Sequence, residues 1–268
     1  LAGSGVIAVA GWRGVFWSVA LAAVVGLVLV ATKLQETRPA AQRVESSLRS
    51  ALCGYGVLLR DRHYLGLVLI GGCAMGGFFV YLSSSPFVLI DHYGLTPMQY
   101  SLAFSVNSVA FIGAAQFNGM LGERYGLVRL VKGAVSAACG VMLLLLGYYL
   151  AGGDRLAVLI VLYFIASAFM GMVIPTTSVL ALEEHGAIAG TASALLGTLQ
   201  MLSGAVAMGV MGFFGSGKPL PMVAGMAAGS LLGLVFTWLT LGGAQNSQPQ
   251  QPKPLLASET DALHQRHT

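Results

Sequence analysis

The sequence predicts an all-α integral membrane protein of about seven transmembrane helices, on three observations. Charged residues occupy only 9% of the 268 positions, 56% are hydrophobic and the mean hydropathy is +0.78, whereas soluble domains carry roughly 25% charge. Charge-free runs recur at 14–32, 64–90, 93–122, 133–153, 156–182, 186–217 and 219–252, and about 20 apolar residues in a helix cross a hydrocarbon core about 30 Å thick. Lysine and arginine collect on alternate connections, eleven on one side and three on the other, and this asymmetry places the richer side in the cytoplasm.

Taken in order, residues 1–10 read as the stub of a preceding helix and 11–32 as the first full span, with Arg13 at its start. The connection 33–63 holds six basic residues, and Leu48, Leu52, Tyr55 and Leu59 recur within it at helical spacing. That pattern predicts an amphipathic helix lying along the cytoplasmic interface. Residues 64–243 supply six further spans, a bundle in their own right. Pro86 is expected to loosen the first of them, because its ring removes a backbone hydrogen bond. Between the second and third spans lies the charged stretch "NGMLGERYGLVRLVKG", 118–133, with three of the basic residues. Residues 244–268 are polar and proline-rich, which predicts a disordered cytoplasmic tail.

Several functions are excluded on composition. The net charge of +4 comes from basic residues scattered singly through short loops, a record of topology and not of nucleic-acid binding. Cys53, Cys73 and Cys139 are widely spaced in or beside apolar segments, and His63, His92, His185, His264 and His267 sit at segment ends or in the tail. Neither set has metal-ligand spacing, so the histidines read as solvated and no metal or other cofactor is expected. "GFFGSGKP", 212–219, spells part of a phosphate loop, but Pro219 stands where Ser or Thr is required. The glycine ladder Gly225, Gly229, Gly233 reads as a close-packing face. No acid, base and nucleophile cluster at one depth, so the sequence predicts no enzyme.

The spans carry uncharged polar residues in place of charges. Ser101, Ser105, Ser108 and Gln116 share one helical face, Asn107 and Asn118 another, and Ser193 and Gln200 lie seven residues apart. Tyr81 stands just before "SSSP", 83–86. A weakly polar pocket for amphiphilic molecules fits these residues better than an ion site, and the candidate substrate pathway is Tyr81, Ser85, Asn107, Gln116, Ser193 and Gln200. Phe78 and Phe79 read as packing.

"GMLGERYGLVR", 119–129, resembles the loop motif of the major facilitator superfamily: Gly119, Leu121, Arg124 and Gly126 match, while Glu123 replaces the usual Asp. "GWRGVFW" (11–17), "LQET" (34–37), "SSPFVLIDHYGLTPMQYSLAF" (84–104) and "AGTASALLGTLQM" (189–201) look like segments of the bicyclomycin- and chloramphenicol-resistance (Bcr/CflA) drug:proton antiporters. The resemblance implies a major facilitator fold, of which this chain is the C-terminal six-helix bundle plus the helix before it. It implies proton-coupled drug efflux across a bacterial inner membrane by alternating access, and a piece inactive without the N-terminal half, where the coupling acids lie. The partners implied are a small-molecule drug, a proton, membrane lipid and that missing half, with no nucleic acid. Gly119, Leu121, Glu123, Arg124, Gly126 and Arg129 then form a gating clasp, the glycines allowing close backbone approach and Glu123 pairing beside Arg124. Export of a natural metabolite and a non-transporting assembly role are the alternatives.

Overall fold

Helices make up the architecture of the computed structural model, which describes residues 2–33, 48–214 and 217–242. The predicted tail 244–268 and residues 34–47 of the connection 33–63 fall outside the described residues. So do Leu1 and residues 215–216 of the phosphate-loop decoy.

The elements are α1 (Ala2–Lys33), α2 (Leu48–Leu58), α3 (Arg62–Pro86) with a π-helical turn Phe87–His92, α4 (Pro97–Gln116), α5 (Asn118–Tyr125), α6 (Leu127–Leu150), α7 (Leu156–Glu183), α8 (Ala189–Phe213) and α9 (Pro219–Leu241). Among the described residues, six helical stretches are long and apolar enough to cross a membrane: Gly11–Lys33, Arg62–His92, Leu127–Leu150, Leu156–Glu183, Gly186–Phe213 and Pro219–Leu241. At about 1.5 Å per residue α4 is long enough as well, but Gln99, its serines, Asn107 and Gln116 lower its hydropathy.

Helix starts follow local chemistry. Asp61 caps α3 by accepting from the backbone N–H groups of His63 and Tyr64, and Thr96 and Gln99 form a reciprocal capping box ahead of Pro97 at the start of α4. Gly126 takes φ +83 between α5 and α6, a conformation that costs a residue with a Cβ. In α1 the helical geometry breaks at Gly11, with φ 67. No residue of α1 from 11 to 33 is buried, as befits a helix apolar on every face and left to lipid or to a partner.

α3 runs through the centre of the bundle, flanked by α7, α8 and α9; α4 packs on α7, and α6 on α7 and α9. The glycine ladder of α9 lies against α3, where a Cβ on Gly229 would meet the Cys73 carbonyl oxygen at 3.4 Å. The apolar core forms two clusters, one around Tyr81, Met142, Tyr149, Tyr163 and Met226 and one around Leu58, Tyr64, Leu67, Val131 and Leu196. In α2, Gly54 and Leu58 are buried, with Gly54 turned to Thr191, while Leu52 and Leu59 of the predicted apolar stripe are exposed. The face that carries Gly54 and Leu58 packs inward, and Leu52 and Leu59 of the apolar stripe point outward.

Two histidines expected to be solvated are tied to aspartates instead. At the start of α3, His185 Nε2 lies 2.9 Å from Asp61 Oδ2, and its ring stands edge-on to Tyr64 at 5.3 Å. At the far end, His92 Nε2 lies 2.8 Å from Asp154 Oδ2, and Tyr93 donates to the same carboxylate. Asp154 precedes α7 by two residues and His185 follows it by two, so α3 and α7 are laced together at both ends. The hydrogen bonds from Tyr93 and then His92 hold Asp154 below the usual carboxylate value. Burial pushes the Asp61 carboxyl up, but the N–H groups of Tyr64 and His63 and the His185 ring outweigh it and hold it below 3.8.

A carboxyl with a depressed value stabilises the fold above its unfolded value and loses that contribution as pH falls through the folded one. Thermal unfolding of the chain in detergent is therefore expected to show an acid-side loss beginning below 3.8. Asp61→Asn, which preserves the cap, blunts that loss, whereas Asp61→Ala costs about 1 kcal/mol even at neutral pH through the cap alone. An unchanged acid limb in Asp61→Asn would count against the depressed Asp61 value.

Candidate functional site

The site lies where α3, α4 and α7 meet. Tyr81 of α3 is almost fully buried, its ring stacked on Tyr163 of α7 at 4.0 Å and facing Phe104 of α4 at 6.1 Å. Asn107 of α4, only 5% exposed, donates from Nδ2 to the Tyr81 hydroxyl at 3.1 Å, and its Oδ1 has no partner. A buried polar atom left unpartnered costs about 1–3 kcal/mol, and among the described residues Asn118 and Gln200 share this condition with Asn107.

Around it is a cavity of about 280 Å³ lined by Met75, Phe78, Tyr81, Phe104, Asn107, Ser108, Phe111, Ile112 and Ser167. No charged side chain lies among these residues. Ser108 and Ser167 donate to the Phe104 and Phe164 carbonyls at 2.9 Å each, so their oxygens face the cavity chiefly as acceptors. A larger cavity, about 360 Å³, lies at the outgoing end of α3 against α8 and α9, among Ser84, Phe87, Met208, Met211 and Lys218. Among the described residues no buried orphan polar atom lines it, whereas Asn107 lines the smaller one.

The local sequence explains the arrangement. Ala103, Asn107 and Ala110 are buried at i, i+4 and i+7 on α4, a stripe of small residues that lets α4 approach α7 closely. At the crossing, a Cβ on Gly171 would stand 2.1 Å from the Phe111 carbonyl oxygen. Ser101, Ser105 and Ser108 each donate to the carbonyl four residues back, which satisfies their hydroxyls within the helix.

Of the six residues predicted for the pathway, the structure brings Tyr81 and Asn107 together. Ser85 is fully buried and hydrogen-bonds to the Tyr100 hydroxyl at 3.2 Å, joining α3 to α4 beside the cavity but not lining it. Gln116 is exposed at the end of α4, Ser193 is exposed on α8, and Gln200 is buried against Gly71 of α3 and Thr177 of α7, its Nε2 unpartnered. Ser193 and Gln200 share a helical face but not an environment, since only Gln200 reaches α3. Asn107 and Asn118 do not share a helix: α4 ends at Gln116 and Asn118 opens α5.

Phe78, expected to pack, lines the cavity, while Phe79 covers Gly204. Phe104, Phe111, Tyr163 and Ser167 are further residues of the site. Phe104 and Phe111 are seven apart with Asn107 and Ser108 between them on one face, a pattern legible in the sequence.

The family profile of the Major Facilitator Superfamily matches residues 1–208. The chain belongs to that superfamily. It is similar to the uncharacterized MFS-type transporter YdgK of Bacillus subtilis, 34% identical over 234 residues that cover 85% of this chain and 57% of the relative. It is also similar, at 22% identity over 222 residues, to a bicyclomycin resistance protein homolog of Haemophilus influenzae, across 81% of this chain and 54% of that protein. The chain thus spans about half the length of the curated relatives it matches, as a multi-pass membrane protein.

The stretch that resembles the superfamily's loop motif is a short helix, α5, closed by the left-handed Gly126. Gly119, Glu123, Arg124 and Arg129 are exposed and Leu121 is half-buried. Within this chain a Cβ on Gly119 would meet nothing within 4 Å. The Arg124 guanidinium lies over the Tyr125 ring at 5.5 Å, and among the described residues Glu123 makes no ion pair. Successive side chains on a helix diverge by about 100°, which sends Glu123 and Arg124 apart.

Proposed function

We propose that this chain is one half of a secondary active exporter of the bacterial inner membrane, exchanging protons for small amphiphilic drugs by alternating access. The observation that carries the reading is the aromatic, uncharged cavity between α3, α4 and α7, with one buried amide oxygen awaiting a partner. Such a wall suits a weakly polar molecule, because an ion there would be desolvated with no counter-charge. The resistance homolog of Haemophilus influenzae supports the drug assignment.

In this reading the basic ends of the helices, the exposed α5 clasp and the C-terminus face the cytoplasm. Exposed Arg124 and Arg129 are held ready to engage the other helix bundle and release it as the two rock. The wall of the cavity holds no titratable carboxylate, so the proton-coupling acids belong to the other half.

The test is drug resistance in an efflux-deficient host. Expression of the complete gene is expected to raise the inhibitory concentration of chloramphenicol or bicyclomycin several-fold, and a protonophore to abolish the efflux. This chain alone confers no resistance, and co-expression with the first half restores it. Unchanged resistance together with altered metabolite efflux would replace the drug assignment with a natural substrate; no efflux of either kind would end the transporter reading.

A further inference from the structure

We propose that Asn107 and Tyr81 act together as a specificity pair that recognises, on an uncharged aromatic substrate, a hydrogen-bond donor beside an acceptor, as in an amide. The inference rests on the cavity being the substrate site proposed above and goes on to name the substrate class.

The polar capacity of the cavity is small and can be followed atom by atom. Asn107 spends its Nδ2 on the Tyr81 hydroxyl, at 3.1 Å, and that bond fixes which face of the amide is left over. Oδ1 is left as a buried acceptor without a partner. Tyr81 receives that bond on its oxygen and keeps its own proton to donate. Ser108 and Ser167 have given their protons to backbone carbonyls, so Tyr81 is the one hydroxyl of the lining with a proton to offer. Asn107 and Tyr81, both in the cavity wall, therefore hold one acceptor and one donor side by side, on two side chains whose own hydrogen bond keeps them in register.

The rest of the lining decides what carries the complementary pair. Phe78, Phe104 and Phe111 supply aromatic faces, and Phe104 and Tyr163 hold the Tyr81 ring by stacking. No charged group lines the space, so an ammonium or carboxylate on the ligand would be buried unpaired. A volume of about 280 Å³ sits near the lower end of the roughly 300–1,000 Å³ usual for ligand pockets. These constraints converge on compact, neutral aryl compounds with a primary or cyclic amide, whose N–H and carbonyl share one edge, and on alcohols that donate and accept through one oxygen.

The experiment uses the complete gene product in lipid nanodiscs and two tritiated probes of one shape, the cyclic aryl amide 3,4-dihydroisoquinolin-1(2H)-one, whose ring holds N–H and carbonyl on one edge, and its lactone isochroman-1-one, in which an ester oxygen replaces the N–H. The wild type is expected to bind the amide about tenfold more tightly than the ester, the effect of one buried hydrogen bond. Asn107→Leu weakens the amide more than the ester and so removes the tenfold preference, and a cooperative thermal transition in detergent shows that the variant is folded. Tyr81→Phe, which retains the stack, weakens both probes several-fold, because both present a carbonyl to the hydroxyl. Equal binding of the two probes by the wild type, or an Asn107→Leu that weakens both alike, overturns the specificity pair while the cavity keeps its role. Binding of neither probe overturns the cavity's role as well.

Discussion

Gly171→Ala is expected to force α4 and α7 apart and to unmake the cavity. The added methyl would stand 2.1 Å from the Phe111 carbonyl oxygen and 2.9 Å from its carbon. Both are backbone atoms, so no rotamer change relieves the clash and one helix must move. Overpacking of this kind costs about 1–3 kcal/mol or more, and here the displaced segment carries Phe111 and, one turn earlier, Asn107. The expected result is a lower thermal midpoint in detergent and loss of ligand binding. Gly133→Ala serves as the control, since a Cβ there meets nothing within 4 Å and alanine is favoured over glycine in a helix by up to about 1 kcal/mol. Equal stability of the two variants would refute the close crossing of α4 and α7.

Tyr81→Ala has the second large effect. The ring is sandwiched between Phe104 and Tyr163 and is 3% exposed, so its removal opens a void in the middle of the bundle. Truncating a buried aromatic costs about 3–5 kcal/mol, and the loss also leaves the Asn107 amide without its single side-chain partner. Tyr81→Phe preserves the stack and removes one hydrogen bond, worth about 1 kcal/mol. Comparing unfolding of the two variants separates the stack from the bond. If alanine and phenylalanine destabilised alike, the stack would not be what holds α3, α4 and α7 together.

The polar residues of α4 show where reading the sequence succeeds and where it stops. Helical period places Ser101, Ser105, Ser108 and Gln116 on one face, and α4 is a helix over all four. Which of them is available for binding is another matter: three hydroxyls donate back to their own helix, and Gln116 lies exposed at its end. Asn107 differs because its shorter amide cannot satisfy both of its ends in the same way, and a neighbouring helix supplies Tyr81 for only one of them. The motif in residues 119–129 was readable by spacing, as a resemblance to a superfamily to which the chain does belong. The break at Phe117 that starts a separate helix was not, since uncharged residues run straight through it.

By itself, the sequence determined that this is a multi-pass helical membrane protein, where the apolar spans lie and which local groups begin α3 and α4. These properties depend on hydropathy over about 20 residues and on contacts within one turn of helix. Only the tertiary structure decided that His185 finds Asp61 across 124 residues and His92 finds Asp154 across 62, that Phe78 faces the cavity, and that Asn107 keeps an acceptor unmatched. Those outcomes depend on how helices distant in the chain pack against one another, and a periodicity confined to one helix carries no information about the residue that will stand opposite.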